Sequence, residues 1–445
     1  ELVNGQATRL NRAGVRRRRD ADVLLNLSRR LVYLGMFLLP LLSLRLAKGL
    51  DVSDGVFALA AVILIMSRHR PVVPAPPMWY FGSFLIVIGG ITSSYLAMSA
   101  SSSMVVVFNG IFVLFIWQWT TRTVLTDVVK VQRAITAFVL GTTVSSAVAI
   151  LQVKLHILGY AGSTGGSEGG RAVGLASQPN IAAVTYALGL TFAIGLVLHR
   201  GAGRRYYRAI CILVIAIALL LSASVSGMAT ALVGVFVLLV KRGMKPRTII
   251  ATAVLLVGIY ALATALEGNG HGGENLNPFA RVQQTTSTGS GYDTVSPREQ
   301  TWKNAWQGIQ QDPIIGHGID QASLQVYYDP YIGIWYPAHN IVLLLWFGGG
   351  IFMLVGFAVN FATAFRRVTR RGKKDPTKDM LFAGMIVVLF FSLQSPEMFD
   401  RWLWVPFILA LTLRRGAVPT ERAALDHPDL DLSATAPRPG PRGVV

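Results

Sequence analysis

Apolar stretches recur along the chain at about 31–47, 52–66, 79–98, 103–119, 134–152, 180–198, 209–223, 226–240, 248–266, 341–365, 380–395 and 402–413. Most approach the roughly 20 residues that a helix needs to cross the hydrocarbon of a bilayer. Between the ninth and tenth stretches the pattern fails over a long polar insertion, 267–340, which runs directly into the next apolar segment. The pattern predicts an all-α polytopic membrane protein of about twelve transmembrane helices with one large loop that holds short helices. Its segments are a basic tail at 1–30, helices one to nine at 31–266, the candidate functional loop at 267–340, helices ten to twelve at 341–413, and a tail at 414–445. That last tail, rich in Pro, Ala and Asp and without apolar periodicity, is predicted to be disordered.

Composition excludes a set of soluble domains: 52% of the 445 residues are hydrophobic and 14% charged, with a mean hydropathy of +0.50. A formal charge of +19 invites a nucleic-acid partner until the basic residues are placed. With the N-terminus inside, 33 of the 41 Lys and Arg fall on the inner side and 8 on the outer. This is the positive-inside bias, so both termini are expected in the cytoplasm. Anionic lipid headgroups then account for the charge, and no nucleic acid is expected. Residues 1–30 lack the short apolar core and small-residue exit of a cleavable signal. The single cysteine, Cys211, excludes an intramolecular disulfide and a cysteine-based zinc site.

The same topology places the long insertion outside, together with the candidate chemistry. Ser296-Pro297-Arg298-Glu299 has the form of a helix start, and the helix should run to Gln311 and stop before Pro313. Arg298, Trp302, Trp306 and Ile309 then share a face. Arg298, beside the free amides of a first turn, is well placed for a phosphate; alternatively it pairs with a carboxylate while the tryptophans rest on the membrane interface. Gly316-His317-Gly318 follows no strand and is too short for a dinucleotide fingerprint. Tyr327, Tyr328, Tyr331, Trp335 and Tyr336 could stack on sugars or form an interfacial belt, and the belt is the plainer reading. His339 stands where the chain re-enters the membrane, either as a structural histidine or as a base for a sugar hydroxyl. Arg171, in Gly169-Gly170-Arg171 ahead of Pro179-Asn180, has the forked geometry phosphate requires, or is incidental to a glycine-rich loop. Arg281 is a further basic residue of the insertion. The Asp-x-Asp pairs, Asp20/Asp22 and Asp429/Asp431, sit in the tails, so no metal site is expected, and no cofactor.

Taken in order, Gly170-Arg171 to Pro179-Asn180, Pro297-Arg298 with Trp302 ahead of Asp312-Pro313-Ile314-Ile315-Gly316-His317-Gly318, and His339-Asn340 opening a span resemble the O-antigen ligase and O-antigen polymerase superfamily of bacterial envelope glycosyltransferases. The resemblance runs from about residue 55 to 413. It implies a glycosyltransferase C type fold and metal-independent transfer, on the outer face of the bacterial cytoplasmic membrane, from a polyprenyl diphosphate-linked glycan donor to a glycan or glycolipid acceptor. Arg298 would hold the diphosphate and His339 would be the essential histidine. Arg171, Arg281, Trp302, Asn180 and Asn340 would bind substrate. One departure stands out: relatives often open the eighth span with Ser-Arg-Gly, whereas this chain reads Ser224-Val225-Ser226-Gly227-Met228, leaving Arg281 or Arg171 as replacement. Ligase and polymerase are not distinguished. The rival reading is a transporter or flippase of lipid-linked glycans, which would call for paired ionisable residues near mid-membrane or an inverted repeat.

Overall fold

The computed structural model describes residues 22–155, 171–199, 205–245, 247, 251, 254 and 295–413, except 48–49, 72, 177, 330–332, 370–374 and 396–399. The predicted ninth span apart from 251 and 254, Arg281 and the tail from 414 lie outside the described residues. What is described is mostly helical. In chain order the helices are α1 (22–38), α2 (Val52–Met66), α3 (Pro77–Ser94), α4 (Ala100–Val124), α5 (Val128–Leu155), α6 (Pro179–Leu198), α7 (Arg205–Leu221), α8 (Val225–Lys241), α9 (Val295–Gln311), α10 (Ile341–Thr369), α11 (Pro376–Ser392) and α12 (Val405–Thr412). Among the described residues four helices are long and apolar enough to cross a membrane: α4, α5, α6 and α10.

The differences from the apolar pattern have local causes. α1 starts well before residue 31 because its polar first turns are used: Ser28 Oγ donates to the Ala60 carbonyl at 3.4 Å and Arg29 Nε to that of Val124 at 3.4 Å. It stops two residues ahead of Pro40, and the end of the predicted first span becomes a strand, β1 (Arg45–Ala47), paired antiparallel with β2 (Leu50–Asp51). α4 outruns its predicted span at both ends and carries a π-helical stretch, Phe112–Trp117, at its middle.

Between membrane helices lipid gives no hydrophobic gradient, so close association relies on small residues that let backbones approach. α3 and α10 meet on such a seam. A Cβ on Gly89 would stand 2.6 Å from the Gly349 carbonyl oxygen, and one on Gly356 would stand 2.5 Å from that of Gly82. Asn360 Nδ2 donates to Ser83 Oγ across the same seam at 3.1 Å. α6 is hemmed in by α8 and α11: Ala183 faces Gly227, Thr191 faces Gly234, Met380 faces Gly195 and Phe192 faces Gly384. These pairings make α6 parallel to α8 and antiparallel to α11. The start of α6, the start of α8 and the exit of α11 therefore share one end of the bundle. At the other end Gln132, opening α5, donates to Thr377 of α11 at 2.8 Å and meets His199 after α6 at 3.4 Å.

α10 is broken at Gly350, where φ is 65° and ψ −169°. Two amides of the chain leaving α9 fill that break: His317 N–H donates to the Phe347 carbonyl at 2.8 Å and Gly318 N–H to that of Gly348 at 2.9 Å, while Ile351 N–H returns a bond to Pro313 at 3.1 Å. The fit tolerates no side chain. A Cβ on Gly350 would collide with the Ile314 carbonyl, and one on Gly316, itself at φ 79°, would lie 2.5 Å from Gly350 N. Gly350→Ala is expected to cost about 1–3 kcal/mol in strain alone and more from the collision, read as a lower melting temperature of the purified protein. Gly110→Ala, where a Cβ meets nothing within 4 Å, should leave melting unchanged or slightly raised.

Candidate active site

α9 runs to Gln311 as its sequence predicts and starts at Val295, two residues ahead of Pro297, the predicted first helical position. Of the face shared by Arg298, Trp302, Trp306 and Ile309, it is Ile309 that is packed away. Thr301, Ala305 and Ile309 are the buried stripe, at 0%, 0% and 2% exposure, whereas Trp302 and Trp306 remain 42% and 46% exposed. The reason is steric: Gly308 admits the Phe347 ring at close range, and that ring stacks on His317 at 4.5 Å. A helix pressed this tightly onto α10 has room for small residues underneath and for indoles only along the flank. Trp306 sits edge-on to Trp346 of α10 at 5.8 Å, and Trp346 Nε1–H donates to the Pro313 carbonyl at 2.9 Å. His317 bonds the Gly308 carbonyl through Nε2 at 2.9 Å, which makes the Gly316-His317-Gly318 turn a piece of this joint.

After the turn, residues 318–323 settle on the α3–α4 connection, with Met98 N–H donating to Ser323 Oγ at 2.8 Å. The chain then forms an antiparallel hairpin, β3 (Gln325–Asp329) with β4 (Ile334–Pro337). Gly333 closes it at φ 67° with its amide on the Asp329 carbonyl, and Asn304 of α9 donates to the Val326 carbonyl at 2.8 Å. β4 delivers the chain through buried Ala338 to His339. Asn340 begins α10: its Oδ1 accepts from Val342 and Leu343 amides at 2.9 and 3.3 Å, as an N-cap does. Its Nδ2 reaches the Leu393 carbonyl at 3.4 Å, so His339 lies at the end of the bundle where α11 exits.

Arg298 and His339, 41 positions apart, come together there. Both are half-buried. Loss of solvent, and secondarily the Arg298 charge, push the His339 imidazole down to about 4, so it is neutral near pH 7. Loss of solvent also lowers the Arg298 guanidinium from its ordinary value. Among the described residues no carboxylate pairs with Arg298. Trp302 Nε1–H points to the His339 carbonyl at 3.4 Å, and the Tyr336 ring centre lies 6.0 Å from the imidazole. Lys303 is engaged elsewhere, with Glu299 at 2.9 Å on the exposed side of α9, a pair of little energetic weight.

Arg171 and Asn180 form a second cluster. Arg171 Nε–H donates to the Ser222 carbonyl at 2.9 Å and Nη2 to Asn180 Oδ1 at 3.1 Å; the same oxygen accepts from Ser224 Oγ at 2.8 Å. Ser224 is the N-cap of α8, accepting from Gly227 N–H. The buried arginine thus fastens the 171–176 segment to the α6 start and the α7–α8 turn, at the same end of the bundle as His339. No described contact joins the two clusters. Among the described residues no three His, Cys, Asp or Glu side chains converge as a metal cage. Sequence reasoning missed the hairpin and with it the place of Tyr336 beside His339; β-favouring residues on either side of an Asp-Pro and Gly turn were its available signal.

Residues 183–358 match the family model described as O-antigen ligase. The match supports the O-antigen ligase and polymerase superfamily for this chain, and its span includes the α8 start, α9, the hairpin, His339 and the break in α10. A search of curated proteins gives no significant match. The family implies a glycosyltransferase-type enzyme acting, in general, on a lipid-linked glycan donor and a glycan acceptor, and together with the apolar helices it makes the chain a multi-pass membrane protein.

Titration of His339 checks the site independently of activity. With labelled histidine followed by NMR, its midpoint should lie near 4 rather than 6.5. Arg298→Gln should raise that midpoint but leave it below 6.5, because burial, the larger cause, remains. A wild-type midpoint at 6.5 would refute the buried geometry.

Proposed function

We propose that this protein is a glycosyltransferase of the bacterial cytoplasmic membrane, with its active site on the outer face. It transfers a preassembled glycan from a polyprenyl diphosphate carrier to an acceptor hydroxyl, ligase-like or polymerase-like. The observation that carries this reading is the meeting of Arg298, a half-buried guanidinium with no described carboxylate partner, with a neutral His339. One is a permanent cation able to take diphosphate oxygens in a forked pair of bonds; the other is an unprotonated imidazole able to take a proton.

In the step that follows, His339 accepts the proton of the acceptor hydroxyl as its oxygen attacks the anomeric carbon of the donor. The bond from that carbon to the diphosphate oxygen breaks, and its electron pair leaves with the polyprenyl diphosphate. Arg298 stabilises the charge that develops on the leaving oxygen, where low surrounding polarity strengthens the interaction. Trp302 supports the site from the α9 flank and Asn340 fixes the end of α10 next to His339. Arg171 and Asn180 shape the far side of the same end of the bundle, and Arg281 is a further candidate for substrate contact. Arg171 is also the better replacement for the arginine missing at the α8 start, since its guanidinium shares the Asn180 oxygen with Ser224.

Two experiments test this. His339→Ala should retain donor affinity and lose transfer by roughly 10²–10⁴-fold. Arg298→Ala should bind the donor weakly, and Arg298→Lys should do little better, because a point charge lacks the fork. Normal transfer by His339→Ala, or unchanged donor affinity in Arg298→Ala, would refute the assigned roles. Sidedness is checked separately: in right-side-out vesicles a membrane-impermeant amine reagent should label Lys303, and protection of Lys303 would place α9 on the cytoplasmic side.

A further inference from the structure

We propose that Tyr336, backed by Tyr327, is the stacking platform that seats a pyranose of the acceptor and aims its hydroxyl at His339. The inference rests on the transferase reading and names the residues that position its acceptor. Cross-strand neighbours in the hairpin alternate between its two faces. The pair Tyr328 and Trp335, 44% and 56% exposed, occupies one face. The pair Tyr327 and Tyr336 occupies the other, with rings 6.5 Å apart and inclined at only 22°. It is this second face that ends on His339, the Tyr336 ring centre lying 6.0 Å from the imidazole.

A pyranose presents a face of C–H bonds to an aromatic ring and leaves its hydroxyls around the rim. Seated on Tyr336, it would direct rim hydroxyls toward His339. The platform is anchored by the Asn304 bond to the Val326 carbonyl and by the Gly333 amide on the Asp329 carbonyl. Both tyrosines are half-buried, and their phenol hydroxyls add polar contacts to a flat apolar surface. An interfacial belt would engage the exposed Tyr328 and Trp335 face instead, so the hairpin separates the two uses of its aromatics.

The test uses the full chain in nanodiscs, free of sugar-based detergent and without donor. The probes are the methyl pyranosides of glucose, galactose, mannose and N-acetylglucosamine, with acyclic sorbitol as comparison, read by saturation-transfer NMR. At least one pyranoside should receive saturation at its ring C–H protons while sorbitol does not. Tyr336→Phe and Trp335→Ala should keep the signal. Tyr336→Ala should weaken binding roughly tenfold, the factor that corresponds to about 1.4 kcal/mol, and Tyr336→Leu, which fills the space without a flat ring, should do the same. Absence of pyranoside binding by the wild type, equal saturation of sorbitol, or undiminished binding by Tyr336→Leu would each overturn the proposal. Failure of a polyprenyl diphosphate to bind the wild type would instead overturn the transferase reading, and the two results are obtained separately.

Discussion

The site depends on a backbone joint: the turn that follows α9 is bonded into the break of α10. An unbroken α10 would use the Phe347 and Gly348 carbonyls within the helix, and the chain leaving α9 would lose its backbone anchor. Because Gly350 turns the chain aside, those carbonyls accept from His317 and Gly318, and an amphipathic helix from the polar loop becomes part of the packed structure. The cost is conformational, met by glycines where any side chain would strike backbone. The return is position. Arg298 is carried by α9 and His339 by the lead-in to α10, so the joint that fixes one helix against the other also fixes the cation against the imidazole.

That placement sets the protonation states. A histidine in water is close to half-protonated near pH 6.5. Burial removes the solvent that would stabilise imidazolium, and a neighbouring arginine disfavours it further. Arginine suits the partner role because its guanidinium keeps its charge under desolvation that would neutralise a lysine. The same low polarity that makes Arg298 costly to hold without a described counter-ion makes it a strong attractor for an anion entering the site.

Much of this was legible in the chain. Ser296-Pro297 and Asp312-Pro313 bracketed α9 because cap and proline effects are local, and the apolar spans marked the bundle because bilayer thickness is a constant of the environment. The packing face of α9 was not legible for a definite reason: spacing shows that Arg298, Trp302, Trp306 and Ile309 share a face, but the stripe that is buried, Thr301, Ala305 and Ile309, is chosen by tertiary contact, with Gly308 pressed against Phe347. Gly316 and Gly318 could be set aside as a dinucleotide fingerprint but given no purpose, because the need for glycine comes from distant backbone: Gly348 and Gly350 for Gly316, and Ala97 for Gly318. The hairpin escaped for a related reason. Tyr327 and Tyr336 form a stack only after strand pairing sets their register, and aromatic composition by itself suits a membrane interface equally well.

The α8 start carries no arginine where the resemblance led one to be expected. Ser224 caps the helix, and Gly227 is required by contact with Ala183, with no basic side chain between them. Arg171 comes to that place from a different segment, bonded to the Ser222 carbonyl and sharing Asn180 with Ser224. Electrostatic interaction depends on where the charge lies, and hardly at all on which segment supplies it. The two arginines then divide the work by their commitments. Nε and Nη2 of Arg171 hold the α6 and α8 starts in register, whereas the Arg298 side chain makes no described hydrogen bond. On this reading Arg298 is the cation that engages the diphosphate directly, and Arg171 acts chiefly by fixing the helix starts and the positive field of that end of the bundle.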